Sequence, residues 1–62
     1  MKITALIPAY NEAARLGDTL AAVAKIELLD QIVVIDDGST DATAAVAAQY
    51  PVDLIRLPRN QG

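Results

Sequence analysis

The sequence predicts an α/β fold, an open parallel sheet of the order β-α-β-α-β, and three observations predict it. Short apolar blocks rich in β-branched residues recur near residues 3–7, 32–35 and 52–57, each closed by proline or by a polar turn. The segments between them have helical character, the first with an apolar stripe and the second rich in alanine. The middle block, Ile32, Val33, Val34 and Ile35, has no polar alternation, which is the habit of a parallel strand buried on both faces.

Taken in order, residues 2–7 read as a first strand, closed by Pro8, whose ring removes a backbone donor and suits a strand end. A helix over about 12–25 follows. Asn11 is its expected N-cap, and Glu12 is a carboxylate in the first turn, where the helix dipole favours an anion. Leu16, Leu20, Val23 and Ala24 recur at the spacing of one helix face, and Gly17 is the weak point. The second strand, 32–35, runs into the polar turn Asp36, Asp37, Gly38, Ser39, Thr40. A second helix begins near Asp41 with Ser39 or Asp41 as cap, and Pro51 stops it just past Tyr50. Val52, Leu54, Ile55 and Leu57 form a third strand ahead of Pro58.

The chain has 62 residues, room for one small domain. A chain of this length buries only roughly 60% of the surface it exposes when unfolded. No cysteine or histidine is present, so disulfides and zinc sites of the Cys/His kind are excluded. Five basic against eight acidic residues give a net charge of -3, which argues against a nucleic-acid partner. Apolar runs fall far short of the roughly 20 residues that span a bilayer, and no secretory leader is visible. A cytoplasmic location is expected, or the cytoplasmic face of a membrane reached through segments outside this sequence.

A sheet of order 3-2-1 has a consequence for the whole molecule. Two right-handed crossovers running the same way place both helices on one face and leave the other bare. The middle strand nevertheless sends apolar side chains both ways. The unit is therefore expected to be incomplete, with its second face covered by more chain or by another subunit.

Ligands of open α/β sheets bind beyond the carboxyl ends of the strands. Two polar segments lie there: residues 8–12, with an aromatic ring and a carboxylate, and residues 36–41, with acidic groups beside a glycine. A carboxylate accepts paired hydrogen bonds from a nucleobase or from ribose hydroxyls, and Tyr10 can stack on or flank the base. That favours a nucleoside over a bare phosphate. Neither G-x-G-x-x-G nor a P-loop motif is present. A receiver-type phospho-acceptor site fits poorly, because the first strand ends in Pro8-Ala9-Tyr10 instead of paired acids.

The residues Ile7-Pro8-Ala9-Tyr10-Asn11-Glu12, then Leu16 and Thr19-Leu20, then the run from Val33 to Thr43, and finally Leu57-Pro58-Arg59-Asn60-Gln61-Gly62 resemble the start of a family 2 glycosyltransferase of the GT-A fold. The resemblance covers the whole chain and implies that residues 1–62 are the amino-terminal, nucleotide-binding part of a single GT-A domain, its Rossmann-like half. It implies transfer of a sugar from a nucleotide-diphospho-sugar donor, commonly with inversion, to an acceptor the sequence does not name, a membrane or lipid-linked one among them. By the same carry-over Pro8, Tyr10 and Glu12 line the nucleoside pocket, Ile35 borders it, and Asp37 hydrogen-bonds base or ribose, while Asp36 orders the turn. Mg²⁺ or Mn²⁺ is implied on the diphosphate, held by a later Asp-x-Asp segment outside this chain, and no residue here is assigned to catalysis or to metal. The bland alternative is a non-catalytic nucleotide-binding or structural α/β fragment. On that view Asp36 to Ser39 are turn and cap residues, Tyr50 is packing, and Arg56 and Arg59 are solvated.

Overall fold

The computed structural model describes residues 2–58. It contains β1 (Thr4–Ala9), α1 (Ala13–Val23), β2 (Gln31–Asp37), α2 (Thr43–Ala47) and β3 (Asp53–Leu57), in that order. All three strands are parallel, as the sequence predicts, and β2 lies in the middle, so the condition for a one-sided sheet is met. None of the helices among the described residues is long and apolar enough to cross a membrane.

The core lies between the sheet and the helices. Ala9 of β1, Leu16 and Leu20 of α1, Val34 of β2 and Ala47 of α2 are buried together, with Ile7, Ile32, Val46, Tyr50, Val52 and Leu54 packed around them. Side chains alternate along a strand, so Ile7, Ala9, Ile32, Val34 and Leu54 mark the covered face, and Leu6, Val33, Ile35, Ile55 and Leu57 the other. That second face is uncovered at its flanks: Leu6 is 65% exposed, Ile55 49% and Leu57 42%. At the opposite end of the sheet from the polar loops, polar groups stitch the strands together. Thr4 donates to Gln31 Oε1 at 3.1 Å, and Gln31 Nε2 donates to Asp53 Oδ2 at 2.7 Å.

Several boundaries differ from the sequence expectation, each for a local reason. β1 runs through Pro8 to Ala9, because β1 is an edge strand and the donor that proline lacks has no ladder to serve. β2 extends through Asp36 and Asp37, which the sequence placed in a turn. α1 ends at Val23, where Lys25 and Ile26 bond back three residues to Ala22 and Val23, and Ala24 is exposed instead of joining the core stripe. α2 is shorter than the expected 41–50. After Ala47 the amides of Gln49 and Tyr50 bond back three residues to Val46 and Ala47, a tightened turn that reaches the residue before Pro51. Gly17 lets the two helical segments approach, since a Cβ there would stand 3.3 Å from the Tyr50 hydroxyl.

Candidate functional site

The polar loops that leave β1 and β2 are hydrogen-bonded to each other beyond the carboxyl end of the sheet. Both reverse through the left-handed region of backbone space, Asn11 at φ 50° and Gly38 at φ 71°. Asparagine tolerates that region because its short side chain finds local or cross-loop partners. Here the backbone N–H of Asn11 donates to Ser39 Oγ at 2.8 Å, and Asn11 Oδ1 accepts from the Thr40 N–H at 2.9 Å and the Thr40 hydroxyl at 3.4 Å. Asn11 is therefore not the N-cap of α1. That position falls to Glu12, whose side chain makes no capping bond, and the first turn itself holds no acidic residue.

The first amides of α1 are instead satisfied from the other loop. Thr43, fully buried, accepts from the Glu12 N–H at 2.9 Å and gives its own proton to Asp41 Oδ1. Asp41 Oδ1 also accepts from the Thr43 N–H at 2.9 Å, and Asp41 Oδ2 accepts from the Ala13 N–H at 3.3 Å. One carboxylate thus serves the first amide of both helices, although neither Ser39 nor Asp41 occupies the N-cap position of α2, which is Ala42. The Thr43 hydroxyl is the main cause of an Asp41 carboxyl held below its ordinary value of 3.8; desolvation opposes it, and the Thr43 and Ala13 amides assist.

Because β2 includes both acids, strand alternation sends them to opposite faces. Asp36 points under the helices and is fully buried. Its Oδ1 accepts from the Ser39 N–H at 3.0 Å and so shapes the turn. Its Oδ2 accepts no hydrogen bond among the described residues, and Arg56 Nε on the neighbouring strand stands 3.5 Å away, an ionic contact too long for a good N–H···O bond. Arg56 keeps a largely exposed side chain, as the solvated reading has it, while its Nε reaches Asp36; Arg59 lies outside the described residues. Asp37 ends β2 on the uncovered face, half-buried, opposite Leu57 in the register.

The five candidate nucleoside residues surround this end of the sheet. Pro8 and Ile35 are register partners on adjacent strands, with Asp37 two residues further along the same face as Ile35. Tyr10, 46% exposed, directly follows β1, and Glu12 opens α1. An open cleft of about 140 Å³ at the edge of β1 is lined by Ile7, Pro8, Ala9, Glu12, Arg15, Leu16 and Thr19. It unites Pro8 with Glu12 and does not include Tyr10, Ile35 or Asp37. Arg15 and Thr19, neither of which the sequence analysis assigned to the site, join it through helical spacing from Glu12 and Leu16; Arg15 Nε lies 3.8 Å from Glu12 Oε2. Among the described residues no group of three or more acids gathers to hold a metal ion.

Comparison with known proteins gives this geometry a family. Over 53 residues the chain is 38% identical to proteins named 4,4'-diaponeurosporenoate glycosyltransferase from Staphylococcus aureus strains MRSA252 and USA300; the match covers 86% of this chain and 14% of the length of either relative. No solved structure matches. The model of a sequence family described as glycosyl transferase family 2 matches residues 4–62, nearly the whole chain. Those residues hold both interlocked loops and the strands that carry them, and the chain belongs to glycosyl transferase family 2.

Proposed function

We propose that these residues form the donor-binding start of a nucleotide-sugar-dependent glycosyltransferase, with the nucleoside held between the loops after β1 and β2. The observation that carries this reading is the interlocking of those loops and the helix starts they lead into: Asn11, Glu12 and Ala13 donate to Ser39, Thr43 and Asp41 respectively. A ligand site built this way is fixed before the donor arrives, so less ordering is lost on binding. In the proposal Tyr10 flanks the base, Asp37 accepts from base or ribose, and Pro8, Glu12 and Ile35 line the pocket. The diphosphate would leave as the acceptor oxygen bonds to the anomeric carbon with inversion, the acceptor proton going to a base outside residues 2–58. The Mg²⁺ or Mn²⁺ of such reactions finds no donor set among the described residues, so no step here runs through a metal bound by them.

The chain spans a small part of its relatives, so the reaction belongs to the full-length enzyme. There, Asp37→Ala should weaken binding of the donor nucleotide by about 1.5–3 kcal/mol, the range for a lost hydrogen bond to a charged group. Isothermal calorimetry with UDP, GDP and dTDP as probes checks it. Affinity unchanged by the substitution removes Asp37 from the site, and a wild-type enzyme that binds none of the three leaves the non-catalytic fragment as the better description.

A further inference from the structure

We propose that Asn11 is a positioning residue for the donor site, a left-handed clamp that fixes the loop bearing Asp37 against the loop bearing Tyr10. The inference rests on the donor-site reading above and adds a residue that touches no donor in it. Asn11 separates Tyr10 from Glu12, and its φ of 50° turns the chain so that its amide and its side chain both face the loop after β2. The two bonds have different owners. The Ser39 bond uses the backbone N–H of Asn11 and survives a change of side chain. The Thr40 bonds use Oδ1 and do not.

From Ser39 the chain of contacts continues into the sheet. Ser39 gives its N–H to Asp36 Oδ1, and Asp36 Oδ2 faces Arg56 of β3. Asn11 therefore ties the end of β1 to a turn that is anchored through Asp36 on β2 and, by charge, on β3. Asp37 is the residue after that anchor. Loss of the Oδ1 contacts frees Thr40 and removes one of the ties on the turn after Gly38, while the Ser39 bonds and the contacts of buried Thr43 with Asp41 stay in place.

The separation of owners makes the role testable in the full-length enzyme. Asn11→Gly keeps the left-handed backbone and removes only the acceptor. Asn11→Asp keeps an acceptor for both Thr40 donors in a residue that also tolerates this conformation. If the freed loop occupies the competent arrangement about a tenth of the time, apparent affinity for the nucleotide falls about tenfold. Expected for Asn11→Gly are a melting temperature close to wild type, faster amide hydrogen exchange over residues 38–40, a KM for the sugar donor raised about tenfold, and an unchanged kcat. Asn11→Asp should return both exchange and KM toward wild type. Equal KM in wild type and Asn11→Gly overturns the clamp while the donor-site reading stands, as does a fall in kcat with KM unchanged. A wild-type enzyme that binds none of UDP, GDP and dTDP overturns both.

Discussion

At the scale of single residues, adjacent acids with different fates show how the strand decides chemistry. Asp36 and Asp37 are chemically the same, yet alternation buries one beneath the helices and leaves the other on the open face. Thr43 is the other residue whose surroundings fix its work, since it is fully buried and uses its hydroxyl both as acceptor for Glu12 and as donor to Asp41. Thr43→Val in the full-length protein keeps the shape and strands those groups, and should destabilise the domain by about 1–3 kcal/mol in denaturant titrations. The Asp41 carboxyl adds a pH arm. Its folded-state value lies below the ordinary 3.8, so its stabilisation is complete above that value and is lost as pH falls through 3.8 and then through the lower folded value. Thr43→Val removes the main cause of the lowering and should flatten the acid limb; an acid limb as steep as wild type counts against the account. Asp37 entered as a candidate through the family resemblance of the run that holds it, since an acidic pair after an apolar block reads on its own as a turn. Asn11 was misread as a cap, because sequence shows a helix-starting asparagine in the same way whether its side chain turns to its own helix or across to a neighbouring loop.

At the scale of elements, all five were legible from apolar periodicity and from Pro and Gly punctuation, and their ends were not. Element ends depend on tertiary partners: Pro8 stays in β1 only because β1 is an edge, and α2 shortens because its last turn tightens toward Pro51. Gly17 gives a further case. In isolation it weakens α1 by about 1 kcal/mol relative to alanine. In the folded chain it leaves room for Tyr50, whose hydroxyl would lie 3.3 Å from a Cβ at that site, with Val46 Cγ1 at 3.8 Å. Gly17→Ala should therefore be near neutral in the wild-type background and stabilising by about 0.5–1 kcal/mol beside Tyr50→Phe, which removes the crowding oxygen. A double-mutant cycle by chemical denaturation of the full-length protein measures the coupling. Equal effects of Gly17→Ala in both backgrounds would mean that helix propensity alone sets the residue's cost.

At the scale of the molecule, the decisive feature is the one-sided sheet. Sequence alone leaves the strand order open; the observed order β1-β2-β3 carries both helices to one face. On the other, Val33 is shielded by its neighbours at the centre of the sheet, but the side chains flanking it are open: Leu6 on one side, Ile55 and Leu57 on the other. A contiguous apolar strip of this kind associates in water. Residues 1–62 expressed alone should therefore sediment as oligomers or aggregate and melt without cooperativity. Leu6→Lys with Ile55→Lys, which puts charge on that face without touching the helix-covered core, should shift the population toward monomer. The direction of the second result separates two explanations of the first. If poor folding of so small a core caused the association, added charge on the outer face would leave aggregation unchanged; if the bare face causes it, the lysines suppress it. A wild-type 62-residue chain that is monomeric and melts cooperatively would show that the apolar strip is tolerated in water and that the covered half of the sheet suffices to hold the unit.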